Sequence, residues 1–99
     1  MDIQELAQAF AAGRTSGSCH NATINEHGYW LHGNLIASLG GFSVMGDWCG
    51  YYTRTTASHL NAIAEACISK GMKRATPHKV SYAEARNSGT KQFNLVTIA

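Results

Sequence analysis

The sequence predicts an α+β fold in a single small domain spanning residues 1–99. It is an antiparallel sheet of four to five strands, a β-meander plus a C-terminal hairpin, with two helices, in the order α-β-β-β-α-β-β. Three observations carry this. The chain has 99 residues, enough for one core without disulfide or metal staples and too few for two domains. Apolar residues recur at helical spacing in two places, at the N-terminus and beyond residue 56. Elsewhere short apolar runs are separated by Gly- and Asn-rich turns, the mark of antiparallel strands.

The first helix is expected over residues 2–12. Asp2 and Glu5 form a capping-box pattern, Ile3, Leu6, Ala7 and Phe10 make one stripe, and Gly13 is placed to end the helix in the left-handed region. Arg14 to His20 reads as a polar connecting loop. Ala22 to Asn25 alternates as a strand, Glu26-His27-Gly28 turns, and Tyr29 to Leu39 reads as one strand bending or bulging at Gly33-Asn34. Gly40-Gly41 is the next turn, and Phe42, Val44 and Trp48 lie along a third strand. Thr55 and Thr56 offer N-caps for a helix over residues 57–70, with Leu60, Ile63, Ala64, Cys67 and Ile68 on its apolar face and Gly71 at its end. Pro77 prevents continuation. Val80-Ser81-Tyr82 and Phe93 to Ile98 read as strands around an Asn87-Ser88-Gly89 turn, although residues 82–86 suit a short helical turn equally well.

Composition narrows the function classes. Apolar residues make up 44%, near the globular norm, which excludes disorder, and charged residues only 14%, against about 25% typically. Charge is uneven. Up to residue 69, Arg14 and Arg54 stand against five acids, a balance of −3; from residue 70 on, Lys70, Lys73, Arg74, Lys79, Arg86 and Lys91 stand against Glu84, a balance of +5. Three widely spaced cysteines without a C-x-x-C pair fit a reducing interior better than a disulfide framework. The N-terminus is acidic and amphipathic and no apolar run approaches about 18 residues, so neither a signal peptide nor a membrane span is expected.

Few residues form a recognisable chemical constellation. Cys19, His20, His27 and His32 are zinc-ligand types, but their spacing fits no finger and adjacent Cys19 and His20 would point to opposite faces of a strand. No metal and no cofactor are expected. Gly13 to Ser18 is glycine-rich, yet a helix precedes it and a strand follows, the reverse of a phosphate loop. Cys49 and Cys19 could serve as nucleophiles only with an oriented base, for which the five histidines show no spacing, and Cys67 lies on the apolar stripe of the second helix. The chain is therefore expected not to be an enzyme.

Two surfaces remain as candidates for binding. Trp48, Tyr51, Tyr52 and Arg54 are residue types that dominate interaction hot spots, and they also suit a small core. Lys70, Lys73, Arg74 and Lys79 follow the second helix, where cations are favoured by the macrodipole alone. With Lys91 they could contact a phosphate backbone, without any recognition module for reading bases.

The order of residues adds a resemblance. Phe10-x-x-Gly13-Arg14, Asn21, then Gly28 to Ala37 with its Gly33-Asn34-Leu35-Ile36-Ala37, then Thr53 to Ile63 with Thr55-Thr56-x-x-His59-x-Asn61, resemble a group of small phage and prophage accessory proteins over residues 10–64. The resemblance implies a mobile-element protein acting in the bacterial host cytoplasm, and supplies no catalytic residue set. Physically the shared pattern reads as structural: Gly33-Asn34 permits a bend, Ile36 and Ala37 cover both faces of a strand, and Thr55-Thr56 cap a helix. The expected function is a non-enzymatic phage inhibitor, of the anti-CRISPR type, that binds and sterically blocks a host protein or ribonucleoprotein defence complex such as a CRISPR effector. The alternative is a nucleic-acid-binding accessory protein using the basic C-terminal patch. DNA mimicry is disfavoured, since six acids under a positive balance cannot imitate a phosphate ladder. A meander with an exposed edge could also pair with its own copy about a two-fold axis.

Overall fold

The structure is a computed structural model that describes residues 1–98. Its elements, in chain order, are α1 (Ile3–Ala11), β1 (Gly17–Cys19), β2 (Ala22–Asn25), β3 (Gly28–Leu31), β4 (Asn34–Leu39), β5 (Ser43–Asp47), α2 (Arg54–Ser69), β6 (Met72–Arg74), α3 (Tyr82–Ser88) and β7 (Gln92–Ile98). The class is α+β as expected, but among the described residues the sheet has seven strands and there are three helices. All strands form one antiparallel sheet in the order β1-β2-β3-β4-β5-β7-β6.

The differences have local causes. Gly33 does not bend a single long strand: His32 and Gly33 adopt positive φ of 52° and 79°, forming a tight turn that divides residues 28–39 into β3 and β4. The polar loop after α1 holds a three-residue strand that extends the meander. α2 starts at Arg54, three residues earlier than expected, because Thr53 is the cap and its Oγ1 accepts the Thr56 N–H at 3.2 Å. The expected C-terminal hairpin is replaced. Ser81 caps α3 by accepting the Glu84 N–H, Gly89 closes that helix at φ 69°, and the partner of β7 on its outer side is β6, immediately after α2.

α1 forms as its sequence dictates. Asp2 Oδ1 accepts the Glu5 N–H at 2.8 Å and Glu5 Oε1 accepts the Asp2 N–H at 3.1 Å, the reciprocal capping box. Leu6, Ala7, Ala9 and Phe10 are buried. The domain measures 33 × 31 × 20 Å, the thickness of a sheet carrying helices on one side.

Two β-bulges set the core. Register passes from Trp30↔Leu35 to Tyr29↔Ala37, and from Met45↔Asn94 to Val44↔Val96, leaving Ile36 and Leu95 as extra residues. At a bulge two consecutive side chains share a face. Ile36 with Ala37, and Leu95 with Val96, are accordingly all buried, so Ile36 and Ala37 cover the same face and not both. Opposite the helices, Thr23, Trp30, Leu35 and Met45 face outward, the last three half-buried. Close approach also fixes Gly28, where a Cβ would collide with the Ala37 carbonyl oxygen.

Candidate functional site

The segment after β5 organises one end of the domain. Asp47 Oδ1 accepts the Cys49 N–H at 2.8 Å and Cys49 adopts φ 54°, turning the chain sharply out of the sheet. Trp48 is thrown inward. It is 2% exposed, stacks on Phe93 at 6.4 Å and lies 5.8 Å from the ring of Tyr52. The expectation that Trp48 offers a partner contact is thus corrected: its ring is core, because the tight turn leaves it nowhere else to go. Tyr52 is half-buried against it, whereas Tyr51 is 57% exposed and Arg54 is exposed in the first turn of α2. A small pocket of about 150 Å³ lies beside Tyr51, walled by His32, Asn34, Ile36 and Thr56 with Trp48 behind.

On its other side, Trp48 floors a second concavity of about 330 Å³, at the small end of the range for ligand sites. Phe93, Val80, Pro77 and Ala85 line it, and His78, Lys79 and Glu84 stand at its mouth. The loop that forms one wall is held by Asn61 of α2, whose Oδ1 accepts the Val80 N–H at 2.9 Å and whose Nδ2 donates to the Val80 carbonyl at 3.2 Å. Sequence reading missed this cleft, since Val80, Ala85 and Phe93 meet only through the crossover that brings β7 beside β5.

The histidines and cysteines do not assemble a reactive centre. His59 is buried on α2 with Nδ1 2.6 Å from the Tyr29 hydroxyl. Burial, then the neighbouring His32 and His20, push the imidazole below its ordinary value, and burial, then Cys19, push the Tyr29 phenol up. Both shifts favour the uncharged forms of the two groups, which share one buried hydrogen bond. Cys49 donates to the Leu35 carbonyl oxygen at 3.2 Å, and burial followed by Asp47 raises its pKa; burial raises Cys67 to about 11. Among the described residues no group of three His, Cys, Asp or Glu side chains could hold a metal ion. Cys19 is buried and His20 exposed, and His27, in the β2–β3 turn, lies at the opposite end of the sheet from His20 and His32.

The basic residues are spread around the domain. Lys73 and Arg74 are adjacent on β6 and face opposite sides of the sheet. Lys73 is exposed; Arg74 is half-buried, its Nη1 enclosed without a hydrogen-bond partner among the described residues. Lys70 caps α2 in a shallow hollow shared with Arg14 and Glu5. Lys79 pairs with Glu65 at 3.5 Å, and Lys91 sits at the other end of β7, where its carbonyl accepts the Trp48 N–H.

Each residue of the Thr-Thr-x-x-His-x-Asn pattern except the exposed Thr55 has a buried or half-buried structural bond: Thr56 Oγ1 with Thr53 Oγ1 at 3.1 Å, His59 with Tyr29, Asn61 with Val80. In Gly-Asn-x-Ile-Ala the glycine makes a turn and Ile36-Ala37 is the bulge. Among the described residues no helix is long and apolar enough to cross a membrane. No curated protein and no solved structure matches the chain. A family model described as Kyanoviridae Gp96 protein matches residues 3–95, extending the phage resemblance over both α1 and the basic C-terminal region. The chain, a small phage protein, belongs to the Kyanoviridae Gp96 protein family.

Proposed function

We propose that this phage protein is a non-enzymatic inhibitor that binds and sterically blocks a host defence complex, in the manner of an anti-CRISPR protein, in the bacterial host cytoplasm. The observation that carries the reading is the exposed Tyr51 at a small pocket before α2, with Arg54 exposed in the first turn of that helix. A tyrosine and an arginine anchored to ordered main chain present large contact area and a charge at little entropic cost, which is what a hot spot requires. Trp48 and Tyr52 support that surface from behind. The remaining reactive groups suit structure better than catalysis: burial pushes the Cys49 and Cys67 thiols up, and the His59 imidazole is buried against the Tyr29 hydroxyl.

The test is capture of the tagged chain from host lysate, paired with an interference assay in cells expressing it. Tyr51→Ala combined with Arg54→Glu should abolish capture of the target and restore interference while leaving the circular dichroism spectrum intact. A glutamate in the first turn of a helix is favoured by the macrodipole, so Arg54→Glu does not threaten α2. Undiminished interference with the unmodified chain, and no defence subunit recovered, would reject the reading. A shift of labelled DNA or RNA at low salt, steeply weakened by salt and by Lys73→Glu with Lys91→Glu, would assign the function to the basic residues instead.

A further inference from the structure

We propose that β1 is an acid-released flap over the buried His59–Tyr29 pair, opening as the His59 ring takes up a proton while the rest of the domain stays folded. His59 is 4% exposed and Tyr29 fully buried, with Nδ1 and the hydroxyl 2.6 Å apart and the Phe10 ring edge-to-face on the phenol at 5.8 Å. The hydroxyl has no other hydrogen-bond partner among the described residues, so its hydrogen is satisfied only while Nδ1 is free to accept it. A protonated ring carries hydrogen on both nitrogens. Nδ1 then becomes a donor, the phenol hydrogen is stranded in the core, and a charge is enclosed beside it.

The groups around the ring do not offset that charge. Those whose charge acts on it are His32, in the β3–β4 turn, and His20, in the β1–β2 turn, and both oppose it; Cys19 of β1 acts on Tyr29. On α1, Asp2 and Glu5 are exposed and use their carboxylates on each other's N–H. On α2, Arg54 is exposed and Glu65 pairs with Lys79. β4 and β7 carry no titratable side chain, and Asp47 of β5 is held by the Cys49 N–H and by Gln92. α3 carries Tyr82, Glu84 and Arg86, the acid facing His78, and Lys73 and Arg74 of β6 lie at the opposite edge of the sheet from β1. Burial, with His32 and His20, accordingly holds the imidazole below its ordinary value.

β1 is the element placed to yield. It has three residues at the edge of the sheet and pairs with β2 alone among the described strands. Residues 12–16, which join it to α1, are all exposed, and its own turn holds His20 at φ 52°, a conformation that costs a residue with a Cβ. Cys19 is its one buried side chain. Openings local to such an edge require far less free energy than unfolding the core. With β1 lifted, water reaches the phenol and the ring, the Cys19 thiol is uncovered, and β2 is left as an unpaired edge. Because the closed form favours the uncharged ring, the flap stays shut above about pH 6.5, the ordinary histidine value, and opens progressively below it, by at most about tenfold per pH unit for one proton.

Labelling of the three thiols of the full chain with a dipyridyl disulfide, read peptide by peptide by mass spectrometry and expressed relative to the urea-unfolded chain at the same pH, tests this. From about pH 7.5 to about pH 5.5 the relative rate at Cys19 should rise roughly tenfold. Cys67, buried further along α2, should stay protected. His59→Gln, whose amide oxygen can accept the phenol hydrogen and takes up no proton, should hold Cys19 protection constant. His20→Asn with His32→Asn, on exposed turns whose positive φ asparagine tolerates, should keep the rise, and so separates the buried ring from the surface ones whether or not His59→Gln folds. A flat profile at Cys19, an equal rise at Cys67, a rise that survives in His59→Gln, or its loss in the double variant would each overturn the proposal.

Discussion

Asn61→Ala is the sharpest probe of how this fold is held. The amide grips both the N–H and the carbonyl of Val80, at 2.9 and 3.2 Å, and so ties the loop after β6 to the middle of α2. Removing it deletes two bonds of about 1 kcal/mol each and leaves two half-buried backbone groups short of partners, for a gross loss of about 3 kcal/mol. Alanine is the better helix former by roughly 0.6 kcal/mol, which offsets part of this. The net expectation is about 2 kcal/mol, or about 8–16 °C in Tm for a domain of this size. Urea and thermal melts give the global number, and hydrogen exchange at the Val80 amide gives the local one. That amide should lose protection more than those of β2 and β3, far from the loop. A Tm within about 2 °C of the unmodified chain, with Val80 protection unchanged, would refute the assignment of Asn61 as a clamp.

Other perturbations test other parts. His59 has its folded pKa below the unfolded value of 6.5, so the unfolded chain binds the proton first; stability should be flat above that pH and fall below it, and His59→Gln should flatten the urea-midpoint profile between about pH 6.5 and 5. Gly46→Ala should cost about 1–3 kcal/mol, because the new Cβ would meet the Phe93 ring at 2.6 Å; the ring can yield only by tilting into the cleft, so Trp48 fluorescence should change along with the urea midpoint. Arg74→Met should leave stability unchanged or raise it by about 1 kcal/mol, since it removes an enclosed guanidinium nitrogen that has no partner among the described residues while keeping the aliphatic stem; a loss above about 1 kcal/mol would show that Nη1 is in fact satisfied.

How far the sequence spoke depended on whether a signal was local. The capping box at Asp2 and Glu5 and the stripe of α2 are local, and the structure bears out the first entirely and the second at Leu60, Ile63, Ala64 and Cys67, while Ile68, expected on the same stripe, is exposed near the end of the helix. α3 was half-legible: Ser81, Glu84 and Gly89 are cap residues at the right offsets, but Val80 to Tyr82 alternated well enough to compete as a strand. β1 and β6 are three residues each, too short for any periodicity, and their pairing depends on neighbours at a distance. The bulges were hidden for a related reason, since Ile36-Ala37 and Leu95-Val96 break alternation only relative to the strand opposite. At the candidate site, residue type singled out Tyr51 and Arg54, which are exposed, but could not separate them from the buried Trp48, because tryptophan serves a core and an interface equally well. What decided was the turn at Cys49, a positive φ in a residue that gives no warning of it.

The placement of β7 between β5 and β6 bears on how the chain comes to be folded. A ribosome releases the first five strands in an order that lets each close on the one before, yet the seam at β5 stays open until residues 92–98 emerge. Until then the floor beneath the far half of α2 is missing, and the nascent chain carries an unzipped hydrophobic edge that is sealed only when β7 arrives.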